Sequence, residues 1–395
     1  MPSTSRWPLA ILAAALSLGA AQAQAQVAEI HRRILTLDSH VDVLLPSPVP
    51  TKPQASLAQL RAGGVDAVAL AVFANSGPRT PEGYAAGRKE ALAKLAAIKA
   101  FAADNPKDVE IAHTAADVRR IVGSGKEAVL ISFLNAYWLN GDVGEFNHLY
   151  AEGVRIAGLV HAGNNAFADS SRPQKGLGEE NGGLSALGKT AVQRMNDLGI
   201  LIDVSQLTTK GLYQTLELSR VPVVATHSDV RALVDNSRNL SDAEIDAIAA
   251  KGGVIQVTPF NRYLLQNKPD YEARVHAVRE RYGLPSAGTG EQGLSTLTPD
   301  KQAAFMDDFH AQDAQATVKD YVNAIDYIAK RAGVDHVGIG TDFNHGAGVD
   351  GFDNESEAPN VTAELLAHGY NEAQIAQIWG GNFLRVLAAA DAGKR

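Results

Sequence analysis

The chain has 395 residues, with 36 lysines and arginines against 44 aspartates and glutamates, a formal net charge of -8, and no cysteine. That composition excludes a disulfide framework, a thiolate metal site and a cysteine nucleophile. A charge of -8 without a basic stretch argues against nucleic acid as a partner. With 45% hydrophobic and 20% charged residues the chain can bury a sizeable core, and its length allows one large domain or two ordinary ones.

Residues 1–25 read as a secretory signal segment. Arg6 gives a weakly basic start, Leu9 to Leu18 is apolar, and Ala21-Gln22-Ala23 and Ala23-Gln24-Ala25 are small-x-small cleavage sites. The competing reading, a buried N-terminal helix, does not explain why cleavage sites follow the apolar run so closely. No later stretch approaches the roughly 18 apolar residues of a membrane span. The mature chain, 26–395, is therefore expected to be periplasmic or secreted and to lack a membrane span.

Short apolar runs then alternate with helical periodicity. Ile34 to Asp38 reads as a strand ending at His40. Val65 to Phe73 follows, with a helix around Tyr84 to Ala103. Ala128 to Leu134 and Arg155 to His161 are the next two strands, with a helix over Leu184 to Leu198. Ile200 to Val204 precedes a helix over Thr209 to Ser219, and Val221 to Thr226 precedes one over Ser241 to Ala250. Gly253 to Thr258 is the seventh strand, and Val337 to Gly340, after a helix over Thr317 to Ala332, is the eighth.

These runs are continuous rather than alternating, as in strands covered on both faces. Eight of them fit an α/β fold of the TIM-like (β/α)8 barrel type. A doubly wound sheet is the alternative, but no Gly-x-Gly-x-x-Gly turn follows the first strand. A single barrel domain over 26–395 is expected, with a polar insertion at about 262–315 serving as a lid over the barrel mouth.

In such a barrel the site lies at the C-terminal ends of the strands. Several unusual residues fall there: His40 and Asp42, Asn135, His161, Asp203 and Gln206, His227, Asn261 and Tyr263, and Asp342. Ligands at i and i+2 on an extended segment point the same way, so His40 and Asp42 can offer one nitrogen and one oxygen to a single ion. Imidazole and carboxylate suit zinc. Each signal alone has a plainer explanation: a chance His-x-Asp, a satisfied core histidine at His161, a capping aspartate at Asp342. Their common placement is what raises them. His113, His148, His276 and His310 fall on helices or loops and read as solvated.

Several longer motifs occur in a fixed order. They are Leu37-Asp38-Ser39-His40-Val41-Asp42, the stretch Leu57 to Val65, Leu187-Gly188 through Met195 to Ser205, Pro222 to Ser228 with Ser237-Arg238-Asn239-Leu240, Gly338 to Phe343, and Gly380 to Arg385. Together they resemble the membrane dipeptidase family (renal dipeptidase, peptidase family M19) over nearly the whole mature chain. The resemblance implies a metal-dependent dipeptidase, a dipeptide substrate, a homodimer and two zinc ions. It assigns His40 and Asp42 to one ion, a bridging glutamate after the third strand to both, and histidines after strands five and six to the second. It implies that His161 stabilises the oxyanion, that Arg238 binds the substrate carboxylate, that Tyr263 and Asn135 line the pocket, and that Asp342 is the general base or holds the amino group.

Two ligand positions depart from the pattern. Leu134 stands at the bridging position and Gln206 at the strand-five position, while His227 is kept. Leucine brings neither charge nor lone pair to offset repulsion between two dications. One zinc ion held by His40, Asp42 and His227, with Asp342 or Gln206 nearby, is therefore expected rather than two. A dipeptidase-like protein whose remodelled site binds or processes a peptide without metal is the alternative. Asn344 and His345 also differ from the family's usual Asp-Gly.

Overall fold

The computed structural model describes residues 22, 24–46, 52–174, 177–286 and 296–395. Nearly all of the expected signal segment lies outside these residues, as does the middle of the expected lid. Among the described residues, no helix is long and apolar enough to cross a membrane.

Among the described residues, nine parallel strands form the sheet: β1 (Leu37–Asp42), β2 (Ala67–Phe73), β3 (Val109–Ile111), β4 (Glu127–Leu134), β5 (Val154–Gly158), β6 (Leu201–Asp203), β7 (Val224–Ala225), β8 (Val254–Val257) and β9 (Val337–Ile339). Their order is β1-β2-β4-β5-β6-β7-β8-β9, with β3 paired to β4 outside that path. The two ends of the path meet. Asp42 N donates to Phe343 O at 3.0 Å and Asp342 N to His40 O at 2.9 Å, so the barrel closes along a seam between β1 and the chain just after β9. The fold is a TIM-like (β/α)8 barrel with a short extra strand.

Alternation along the strands separates two cores. Val68, Leu70 and Val72 of β2 and Val129, Ile131 and Phe133 of β4 pack outward against the helices. Ala67 and Ala69, with Ala128, Leu130, Ile156, Leu201, Val224 and Val254, fill the lower interior. The C-terminal helix Asn382–Ala392 closes that end, placing Phe383, Leu384 and Leu387 in the same cluster. At the opposite end, the inward side chains of β2 and β4 finish in a small apolar group of Ala71, Phe73 and Leu134.

β1 differs most from its expected limits. It starts at Leu37 and runs through His40 to Asp42, instead of starting at Ile34 and ending at His40. Two of its polar residues, Asp38 and Ser39, tolerate complete burial because each has partners. Asp38 accepts bonds from His40 N at 3.1 Å and Thr341 N at 2.8 Å, and Ser39 Oγ donates to Thr226 O at 2.9 Å. Gly340 permits this crowding, since a Cβ there would meet Thr226 O at 1.9 Å.

The described residues of the 262–315 region include two helices, Tyr271–Arg281 and Pro299–His310, around a separate small core of Val275, Val278, Leu284, Phe305 and Phe309. Asn261 anchors it, donating to Gly348 O at 3.2 Å and accepting from Ala316 N at 2.8 Å. His310, expected in solvent, is half-buried and faces Asp313 at 3.5 Å, whereas His113, His148 and His276 are exposed.

Candidate functional site

The strand ends bring most of the flagged residues into one buried cluster. His40 and Asp42 do lie on the same side of β1, with Nε2 and Oδ1 3.8 Å apart. His40 Nε2 is also 3.7 Å from Asp342 Oδ1 across the barrel seam. The rings of His40 and His227 stack with centroids 4.0 Å apart and planes at 20°. Ligand atoms of His40, His227 and Asp342 lie within 4.8 Å of one another.

The donor set fits one cation. Both ring nitrogens of His40 and the Oδ1 of Asp42 are buried and have no hydrogen-bond partner among the described residues. Unpaired buried polar atoms are costly and call for an explanation, and two nitrogens with carboxylate oxygens at this spacing suit zinc. Asp42 Oδ2 is held by His345 Nδ1 at 2.7 Å. Burial opposes ionisation of Asp42, but His345, His40 and Lys94 more than offset it and lower its carboxyl to about 2.

His227 is prepared from behind. Asp203 Oδ2 accepts from Thr226 Oγ1 at 2.6 Å, and Thr226 Oγ1 is 2.8 Å from His227 Nδ1. With its proton committed to Asp203, the threonine oxygen can only accept, so His227 carries its hydrogen on Nδ1 and presents the Nε2 lone pair to the site. Burial, then the positive neighbours, pushes the His227 imidazole well below its ordinary value, which keeps it neutral.

The second-ion position is filled differently. Leu134 is buried hydrocarbon against Ala71 and Phe73. Gln206 Nε2 is 3.0 Å from His227 Nε2, and Gln206 Oε1 accepts from Arg172 Nη2 at 2.9 Å. Where the resemblance implies a glutamate and a histidine, this position therefore offers hydrocarbon and an amide that is already hydrogen-bonded.

His161 sits above this, its ring 4.5 Å from Phe73 and 5.3 Å from His345. Arg172 Nη2 is 3.4 Å from His161 Nε2, which leaves the ring proton on Nδ1, an atom with no partner among the described residues. Burial, then Arg172, holds His161 well below its usual value and so neutral.

Arg238 is only 3% exposed; it spends Nη2 on His227 O at 3.0 Å and leaves Nε and Nη1 without a partner among the described residues. Its guanidinium lies 5.4 Å from the centre of the Tyr263 ring, which stacks on Phe260. Asn135 stands apart from the cluster in its chemistry. Its Nδ2 donates to Ala74 O at 2.9 Å and Ser76 Oγ at 3.1 Å, while Oδ1 accepts from Tyr137 N at 3.2 Å and Asn165 Nδ2 at 3.3 Å. Three of the flagged residues, Asn135, Gln206 and Asp342, have φ of 73°, 68° and 57°. Left-handed backbone at non-glycine residues concentrates at functional sites.

Arg172 and His345 were not among the candidates read from sequence. Both come from loops, and only the path of those loops brings them to the strand ends. Asp203 was noted at its strand end, but not as the residue that orients His227.

The profile of the membrane dipeptidase family (peptidase family M19) matches residues 24–395. The crystal structure of the probable dipeptidase PvdM from Pseudomonas aeruginosa is 39% identical, covers 94% of this chain and 99% of that one, and superposes with a TM-score of 0.83. A metallo peptidase from Rhodobacter sphaeroides, solved with a phosphinate mimic of the dipeptide L-Ala-D-Ala, shares the fold at 20% identity and a TM-score of 0.72, with 90% of this chain and 99% of that one covered. Dipeptidase tcpJ of Claviceps purpurea (strain 20.1) is 29% identical over 280 residues, 71% of this chain and 55% of tcpJ. Dipeptidase verJ of Clonostachys rogersoniana is 27% identical over 285 residues, 71% of this chain and 60% of verJ. The chain thus spans little more than half the length of these curated relatives. With a family profile matched over nearly its whole length and with the barrel and cluster described above, this chain belongs to the membrane dipeptidase family, peptidase family M19.

Proposed function

We propose that the protein is a dipeptidase that works with a single zinc ion. The observation that carries this reading is the set of unpaired buried donors on His40 and Asp42, facing the oriented Nε2 of His227 and the carboxylate of Asp342. His40, Asp42 and His227 would hold the ion, with Asp342 beside them. A zinc ion there supplies Lewis acidity toward water and the scissile carbonyl. To hold the ion, His227 would have to give up the Gln206 amide that rests on its Nε2.

The chain's own groups have separate tasks in this scheme. The unpaired Nε and Nη1 of Arg238 receive the substrate's terminal carboxylate, for which a guanidinium fork is well shaped. Tyr263 walls that pocket. Burial raises Asp342 above the ordinary carboxylate range, with His345 and His40 acting against it. A carboxylate of raised pKa is suited to take a proton from the attacking water and return it to the leaving nitrogen. Neutral His161, with a free Nδ1–H, donates to the acyl oxygen as charge develops there. Asn135 supports the turn after β4 rather than the substrate.

The remodelled, metal-free reading is favoured by one observation, the Gln206 amide already resting on His227. Elemental analysis of protein purified without added zinc, followed by a panel of L,L- and L,D-dipeptides, separates the two. One ion per chain and chelator-sensitive cleavage support the dipeptidase. No bound metal together with no cleavage after zinc loading would sink it. The further proposals are export by the N-terminal segment, checked by mass spectrometry of the mature N-terminus, and a lid role for 262–315, checked by the KM of a variant with that insertion shortened.

A further inference from the structure

A cationic side chain lies where the ligand set for a second metal ion breaks down. Leu134 offers no lone pair, and the amide of Gln206 is engaged by His227 at its nitrogen and by Arg172 at its oxygen. The half-buried Arg172 points its guanidinium into the site: Nη2 lies 2.9 Å from Gln206 Oε1 and 3.4 Å from His161 Nε2. Its Nε is buried without a hydrogen-bond partner among the described residues.

This placement is built into the backbone. Ser171 N donates to Gln206 O at 2.8 Å, and Ser170 bridges Leu207. Gly163 N, two residues past His161, donates to Arg172 O at 2.7 Å. The segment bearing Arg172 is therefore bound to both the His161 loop and the Gln206 turn, so the three side chains keep their relative positions. A guanidinium stays protonated at any ordinary pH and repels a metal dication beside it.

We infer that Arg172 takes the place of a second metal ion: it excludes that ion and, with His161, holds the negative charge that develops on the substrate's acyl oxygen. Attack of water on the acyl carbon moves one electron pair onto the carbonyl oxygen. That pair returns as the carbon–nitrogen bond breaks, and the amine leaves with the proton carried by Asp342. Arg172 meets the oxygen only while it bears charge, so its contribution falls on the transition state more than on the bound dipeptide. The part concerning the acyl oxygen rests on the dipeptidase reading, whereas the part concerning the ion does not.

The two parts are tested separately. Zinc is counted by elemental analysis, after equilibration with excess zinc and desalting, in the wild type, in Leu134→Glu with Gln206→His, and in the same pair with Arg172→Met. The expected result is one ion in the first two proteins and two in the third. Two ions in the pair that keeps Arg172, or no second ion once Arg172 is removed, overturns exclusion. These counts need no activity, so a failure to find any cleaved dipeptide leaves them decisive.

The second measurement uses Arg172→Met and Arg172→Lys alone, which leave the barrel interior untouched. A phosphinate dipeptide analogue, whose charged oxygen stands for the developing oxyanion, should bind Arg172→Met about 100-fold more weakly than wild type. Binding of an uncleaved, amide-bearing dipeptide analogue should be little changed, and Arg172→Lys should recover part of the loss. Equal phosphinate affinity in wild type and Arg172→Met, or equal losses for both ligands, overturns the charge-holding role.

Discussion

Asp203 Oδ2 and Thr226 Oγ1 are 2.6 Å apart, and this one bond decides which nitrogen of His227 faces the site. The carboxylate takes the hydroxyl proton, the hydroxyl oxygen takes the Nδ1–H of the ring, and Nε2 is left with its lone pair. Second-layer partners of this kind usually affect metal affinity by about 10- to 100-fold. Thr226→Val should accordingly weaken zinc binding by about that factor, as read by competition with a chelator of known affinity. Unchanged affinity would show that His227 is oriented by something else.

Arg238→Lys keeps the charge but loses the fork. A hydrogen bond to a charged group contributes about 1.5–3 kcal/mol, so KM should rise roughly 10- to 100-fold while metal content stays at the wild-type level. Loss of the metal in this variant would mean that Arg238 supports the centre and not the substrate.

Asn135→Ala removes a side chain that makes four bonds around the β4 turn. It should lower stability by about 1–3 kcal/mol in urea denaturation, with KM for the folded enzyme unchanged. A raised KM at unchanged stability would return Asn135 to the substrate pocket.

Glu355 is wholly buried against Asp38, and neither of its oxygens finds a donor among the described residues. Burial, then the Asp38 charge, pushes it well above its ordinary value, so it holds a proton shared with Asp38. In the unfolded chain a glutamate loses that proton near pH 4.3. Between that pH and the higher folded value only the native state stays protonated, so stability falls as pH rises, by about 1.4 kcal/mol per unit of separation. Glu355→Gln should flatten this slope, with its Tm advantage growing from pH 5 to pH 8. Parallel pH profiles for the two proteins would contradict the shared proton.

The barrel was readable because strands covered on both faces must be apolar throughout, and β2, β4 and β8 match that rule closely. β3 was missed, since Val109–Ile111 is too short for any pattern to emerge. β1 was misplaced for the opposite reason. Its polar residues are buried among partners supplied by Thr226, Ile339 and Thr341, far away in sequence.

The same division holds at the site. Residues at strand ends were legible, because a strand fixes where its last side chains point. Arg172 and His345 lie on loops, whose course follows from tertiary contacts and not from periodicity. The one clue to Arg172 was indirect: Leu134 and Gln206 removed the ligands of a cation without revealing that an arginine had taken its place.

His40 stands on the first strand of the barrel and Asp342 just beyond the last, and the two meet only across the seam. A growing or truncated polypeptide that lacks β9 therefore owns fragments of the cluster but no working centre. The cluster is completed only by barrel closure, so whatever chemistry it supports is withheld from a chain that has not yet brought its two ends together.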